Sequence, residues 1–240
     1  MDRKTVIEAK EIHAGYGKRK VLFDVSFKIP DGTTTLLIGP NGSGKSTLIK
    51  VITGILKPEK GKVFYKGKDI TDYPIEKRIH MGIGYLRQAR NIFTMLTVRE
   101  NLELAGYGTK KEDLSERIEK VLSYFPFLEN KLNIRAGLLS GGERQALAIG
   151  MVLMCKKEVL LLDEPTAGLA PSAAKQILES IEKIKSDENV TILMVEHNLK
   201  LVASWADRVI ALREGRVVGE EEKLEEFLKN HTKLEQLFFG

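Results

Sequence analysis

The 240 residues are 42% hydrophobic and 30% charged, the make-up of a soluble globular protein of one or two domains, and the net charge of +5 is spread over scattered lysines. That spread excludes the dense basic block interleaved with aromatics that marks nucleic-acid binders, so no nucleic-acid partner is expected. The longest apolar runs fall far short of the roughly 18–20 residues that span a bilayer, the charged start Met1-Asp2-Arg3-Lys4 lacks a signal peptide's apolar core, and the single Cys155 excludes an internal disulfide and a cysteine-built metal site.

In chain order, residues 6–9 and 21–27 alternate like half-buried strands, and 61–65 runs into a Lys66-Gly67-Lys68 turn. Together these predict an antiparallel β-subdomain wrapping the core. Between the first two strands, Gly15-Tyr16-Gly17 is a turn carrying an aromatic ring. Residues 33–38 form a β-branched and apolar run, short enough for a buried strand, that ends at Gly39-Pro40-Asn41-Gly42-Ser43-Gly44-Lys45-Ser46 and continues with Thr47. The spacing fits G-x-x-x-x-G-K-[ST]. Glycines let successive N–H groups and the following helix N-terminus face phosphate oxygens, Lys45 supplies charge for the β- and γ-phosphates, and the Ser46 hydroxyl suits Mg²⁺. ATP with Mg²⁺ is the expected ligand pair, held by residues 39–47.

Farther on, residues 83–86 predict a strand followed by Arg87-Gln88. Three capping boxes of the form S/T-x-x-E open predicted helices at Thr97–Glu100, Thr109–Glu112 and Ser140–Glu143. The last contains Gly141-Gly142, so its helix start presents aligned amides with no side chains in the way, an anion receptor. The helix behind it, 146–154, is apolar on nearly every face, and Cys155 is expected there as a buried, inert thiol. Two more apolar runs, 159–162 and 190–195, end in Asp163-Glu164 and Glu196-His197. Such runs suit a parallel sheet covered on both faces, whose ligands bind beyond the strands' carboxyl ends. Residues 208–218 predict a hairpin turning at Glu214-Gly215, and Leu224, Phe227, Leu228, Leu234 and Phe238 share a helical face.

The ordered set of phosphate loop, Leu139-Ser140-Gly141-Gly142-Glu143 and Asp163-Glu164 resembles an ABC-type ATPase, and the resemblance covers essentially the whole chain. It implies an α/β fold in one domain, 1–240: a P-loop NTPase core with a mostly parallel sheet, an N-terminal antiparallel β-subdomain and a helical subdomain inserted at about 89–155. Asp163 then holds Mg²⁺ with Ser46 and Gln88, and Glu164 is the general base for water. His197 and Gln88 orient that water, and Tyr16 stacks on adenine. Ser140, Gly141 and Gly142 bind the γ-phosphate held by an opposite subunit, sandwiching two ATPs in a head-to-tail dimer. The implied partners are transmembrane permease subunits, a second ATPase subunit and, through the permease, an external solute-binding protein, with the chain attached to the cytoplasmic face of the membrane.

Ala170 in Gly168-Leu169-Ala170-Pro171, where most of the family carries Asp, and the segments Asp69-Ile70-Thr71 and Leu96-Thr97-Val98-Arg99-Glu100-Asn101-Leu102 are similar to the ATPase subunits of branched-chain amino acid importers. Gln88 and Arg144 depart from that pattern, which often has Glu and Gln there. The competing readings are the ATPase subunit of a lipid or polysaccharide exporter, or a soluble non-transport ATPase, which usually brings a second ATPase domain or a coiled-coil insertion absent here.

Overall fold

The computed structural model describes residues 4–88, 91–108 and 110–221. The apolar stripe at Leu224, Phe227, Leu228, Leu234 and Phe238 lies outside the described residues. The elements in order are β1 (Thr5–Tyr16), β2 (Arg19–Pro30), β3 (Thr34–Ile38), α1 (Lys45–Thr53), β4 (Lys60–Tyr65), β5 (Lys68–Asp69), α2 (Ile75–His80), β6 (Ile83–Leu86), α3 (Val98–Ala105), α4 (Lys111–Tyr124), α5 (Gly141–Leu153), β7 (Val159–Asp163), α6 (Pro171–Glu188), β8 (Thr191–Val195), α7 (Leu199–Val202), β9 (Arg208–Arg213) and β10 (Arg216–Glu221).

Two sheets result. The four-stranded one, ordered β2-β1-β4-β5, is antiparallel throughout. The six-stranded one, ordered β10-β9-β3-β8-β7-β6, is parallel except for β10, which returns beside β9 as the expected hairpin. Its strands β3, β7 and β8 are buried at every position, as continuous apolar runs covered on both faces must be.

Because side chains alternate along a strand, the sheet divides the core. Leu36, Ile38, Leu160, Leu162, Ile192 and Met194 pack with α3, α4, α5 and α6. Leu37, Val159, Leu161, Leu193 and Val195 face the other way, against α1 and the inner face of the antiparallel sheet. Each such side chain withdrawn from water contributes roughly 1.5–3 kcal/mol.

Helix starts follow local chemistry. Thr97 caps α3 and Ser140 caps α5, each in the reciprocal arrangement with the Glu three residues on. The box expected at Thr109–Glu112 falls in part on residues outside those described; α4 starts at Lys111 behind Lys110, whose side chain makes no capping bond. Cys155 differs from expectation. Helix α5 ends at Leu153, leaving the thiol half-buried beyond its end, where it points at the Ala105 carbonyl oxygen at 3.8 Å.

Helix α1 is anchored at its far end by a residue with no sequence signature. Arg78 is 1% exposed, and its guanidinium donates to the carbonyls of Val51 (2.9 Å), Ile52 (2.7 Å), Tyr73 (2.9 Å) and Thr71 (2.9 Å). The first two are carbonyls of the last helical turn, at the negative end of the helix dipole, and Val51 also accepts the Gly54 N–H at 3.2 Å. Burial pushes the Arg78 pKa down to about 10, against the opposing pull of Asp69 and Asp72.

Candidate functional site

Parallel pairing brings the carboxyl ends of β3, β8 and β7 to one edge, with Leu37 opposite Val195 and Val195 opposite Asp163. Three connections leave from that edge: residues 39–44 after β3, Asp163-Glu164 after β7 and Glu196-His197 after β8.

The first connection wraps tightly. A Cβ on Gly39 (φ +151°) would lie 2.0 Å from the Leu212 carbonyl oxygen, so the loop can seat on β9 only with glycine there. Helix α1 starts behind Gly44, which is left-handed and gives no side-chain cap, so the amides of its first turn face the edge without an internal acceptor. Lys45 is 5% exposed and its ammonium donates to the carbonyls of Gly39 (2.8 Å) and Pro40 (3.0 Å). Burial lowers its pKa, opposed by Glu164 and Asp163. Pro40 also accepts the Ser43 N–H at 3.2 Å, whereas the Ser43 hydroxyl is buried with no partner among the described residues.

Next to this loop, the Ser46 hydroxyl donates to Asp163 Oδ1 at 3.4 Å. Burial, reinforced by the Glu164 charge, holds the Asp163 carboxyl above its usual range, against the Ser46 hydrogen bond and the cations Lys50 and Lys45. Glu164 follows in the left-handed region at φ 54°, an uncommon conformation for a residue with a side chain. It turns its carboxylate between two partners: Gln88 Nε2 donates to Oε2 at 2.7 Å, and His197 Nε2 lies 2.8 Å from Oε1. These partners arrive from the ends of β6 and β8, so neighbouring strand ends contribute all three groups.

Tyr16 stands at the margin, 46% exposed, with its hydroxyl accepting from Lys50 Nζ at 3.3 Å and its ring 5.5 Å from that nitrogen. The ring therefore lies beside the phosphate-loop helix. Ser140, Gly141 and Gly142 form the start of α5, with Ser140 and Gly141 exposed and Gly142 half-buried. The Ser140 hydroxyl accepts the Glu143 N–H at 3.4 Å, and its own N–H donates to Glu143 Oε2 at 2.9 Å. Added Cβ atoms at Gly141 and Gly142 would meet Leu169 at 3.4 Å and Ala173 at 3.1 Å, so this helix start packs on the turn preceding α6. Ala170 is the N-cap of α6 and offers no side-chain acceptor there.

A chain of 240 residues that brings a phosphate loop, a strand-end carboxylate pair and a partnered histidine to one sheet edge has the groundwork of a nucleotide hydrolase. The family model described as ABC transporter matches residues 22–167. The chain belongs to the ABC transporter family. As an ABC transporter ATPase it is 42% identical over 235 residues to the probable branched-chain amino acid transport ATP-binding protein LivF of Archaeoglobus fulgidus, covering 98% of this chain and 99% of that one. It is likewise 42% identical over 203 residues to the high-affinity branched-chain amino acid transport ATP-binding protein BraG of Pseudomonas aeruginosa, covering 85% and 87%. An ATP-binding cassette of an ABC transporter solved in its ADP conformation superposes with a TM-score of 0.87 at 32% identity, over 96% of this chain and 97% of that one.

The groups at the ABC ATPase's sheet edge also fit the ion expected with its nucleotide. The Ser46 hydroxyl, the Asp163 carboxylate beside it and the Gln88 amide are hard oxygen donors, the set that suits Mg²⁺. No helix among the described residues is long and apolar enough to cross a membrane.

One residue of the edge escaped the sequence reading in function. Glu196 is 4% exposed and its carboxylate takes hydrogen bonds from Thr166 and from the backbone of His197. Its only sequence signal was its place between a buried strand and a candidate histidine.

Proposed function

We propose that this ABC ATPase powers an importer of branched-chain or other amino acids, hydrolysing MgATP at sites shared between two ATPase subunits. The observation that carries the hydrolytic part is the Glu164 carboxylate, held at 2.7 Å by Gln88 and at 2.8 Å by His197. A carboxylate fixed at both oxygens is oriented before a water reaches it, which is what a general base needs.

The roles follow from position. The amides of residues 39–44 and the start of α1 bind the phosphates, and Lys45 leaves its loop carbonyls to meet the β- and γ-phosphate charge. Tyr16 stacks on the adenine. Ser46, Asp163 and Gln88 hold Mg²⁺, which when bound neutralises charge building on the phosphate oxygens. Glu164 takes a proton from the attacking water, while the His197 ring, donor at one nitrogen and acceptor at the other, keeps the base aimed. Ser140 and Gly141 are exposed and Gly142 half-buried at the start of α5, which supports a role on the γ-phosphate of a second subunit. Permease subunits supply the path across the membrane and hold the chain at the cytoplasmic face, and a solute-binding protein delivers the cargo.

The likeness to LivF and BraG over most of both chains supports amino acids as the cargo. The test is reconstitution. Coassembled with the permease subunits of a branched-chain amino acid importer and supplied with ATP inside vesicles, the chain should drive uptake of leucine, isoleucine or valine. A complex whose ATP turnover and uptake ignore every amino acid would overturn the importer reading.

A further inference from the structure

Glu196 follows β8 directly and is nearly fully buried, and both oxygens of its carboxylate are engaged. Oε1 accepts the Thr166 N–H at 2.9 Å and the Thr166 hydroxyl at 2.7 Å, and Oε2 accepts the His197 N–H at 3.3 Å. A buried carboxylate is costly unless its lone pairs are used. Here they join two segments 30 residues apart in sequence.

Those segments carry Glu164 and His197. Beyond Glu164 the turn closes with the Ala167 N–H on the Glu164 carbonyl at 3.2 Å, and further donors tie it to β8 and Glu196. Glu164 N–H donates to the Val195 carbonyl at 3.0 Å, Pro165 has no N–H, and Thr166 gives both of its donors to Glu196. On the other side, the His197 side chain is 41% exposed, and the backbone that aims it is tied at its N–H to the same carboxylate.

We infer that Glu196 is a positioning residue for hydrolysis: it fastens the Thr166 turn to the His197 backbone and so sets the 2.8 Å approach of His197 to Glu164. This rests on the reading of Glu164 as base and His197 as its partner. The task calls for a carboxylate, because donors converge on both oxygens. A glutamine would keep an acceptor for Thr166 but turn an N–H toward the His197 N–H, setting donor against donor. Aspartate is one methylene too short to span the two segments.

The experiment is a cycle of four full-length proteins: wild type, Glu196→Gln, His197→Ala and the double variant. Each is assayed for MgATP turnover across ATP concentration, with thermal melting alongside. Glu196→Gln should lower kcat about tenfold, the scale of one mispaired hydrogen bond to a charged group, with KM for ATP changed less than about twofold. In the His197→Ala background the same change should cost less than about twofold. Thr166→Val, which keeps the backbone donor, should give a smaller loss in the same direction and replaces Glu196→Gln in the cycle if that variant melts early. An equal fold-loss in both backgrounds, or a loss confined to KM, would make Glu196 merely structural. Full turnover by His197→Ala would overturn the underlying reading and this inference with it. An impaired His197→Ala beside a fully active Glu196→Gln would overturn this inference alone.

Discussion

His197 Nε2 lies 2.8 Å from Glu164 Oε1 across 33 residues of sequence, a contact made because β7 and β8 are neighbours in a parallel sheet and end at the same level. Gln88 reaches the other oxygen of the same carboxylate. The charge, orientation and access of Glu164 therefore answer to three strands at once, and the first prediction tests that carboxylate.

Glu164→Gln keeps the size of the side chain and removes the base. ATP turnover should fall by about 10²–10⁴ while nucleotide binding survives. Because hydrolysis is the opening step of the proposed sandwich, this variant should sediment as a dimer with ATP and as a monomer without it, and Ser140→Arg should abolish that dimer. A monomer under all conditions would remove the homodimer form and direct the search to a second ATPase subunit.

Lys45 donates only to the carbonyls of its own loop, whose shape is set by glycines. Lys45→Ala should therefore abolish productive MgATP binding and turnover with a melting temperature close to wild type. Unchanged ATP affinity, read by calorimetry, would take Lys45 out of the site.

Gly39 and Gly42 separate the effect of strain from that of collision. At Gly42, φ is +80° and an added Cβ meets nothing within 4 Å, so Gly42→Ala should cost about 1 kcal/mol for the left-handed backbone. In a chain of this size that is about 2–4 °C in melting temperature. Gly39→Ala collides with the Leu212 carbonyl and should lose several times more stability together with nucleotide binding. Equal melting of the two variants would refute the close seat of the loop on β9.

Arg78→Met should lower stability by about 3–5 kcal/mol, the cost of leaving several buried carbonyls without their shared donor. The melting temperature should drop by on the order of 10 °C. Arg78→Lys should recover little, since one ammonium cannot serve carbonyls at Val51, Ile52, Thr71 and Tyr73 together. A silent Arg78→Met would show that these carbonyls find other donors.

Glu158 supplies a pH test. Its pKa is held below the ordinary glutamate value, first by the hydrogen bond from Lys66 and then, against some burial, by that from Tyr65. A depressed folded-state pKa adds stability above the unfolded value, and that stability is lost as pH falls through the folded one. The melting temperature of wild type minus that of Glu158→Gln should thus be positive at neutral pH and shrink in acid. The contribution is small, because the pair is largely solvated. A difference independent of pH would assign the effect to packing.

What the sequence made legible was local or periodic. Thr34 to Ile38, Val159 to Leu162 and Thr191 to Val195 declared a doubly covered sheet because burial on both faces erases alternation, and the phosphate loop declared itself through the spacing of its glycines and Lys45. Ser140 with Glu143 and Thr97 with Glu100 formed their boxes because both partners lie within one turn. Arg78 was invisible for the opposite reason. It stands in a polar, lysine-rich stretch that reads as solvated, and its burial depends on carbonyls 26 and 27 residues earlier. Glu196 was likewise legible as a neighbour of His197, whereas its hold on Thr166 depends on how two strands end.

The six-stranded sheet acts as a party wall. Along β3, β7 and β8 the even-numbered side chains belong to the helix-packed compartment and the odd-numbered ones to the compartment shared with α1 and the antiparallel sheet. The helical side can therefore be repacked by exchanging residues such as Leu160 and Leu162 while Leu161 and the side facing α1 stay untouched. Two tenants with different constraints occupy one molecule.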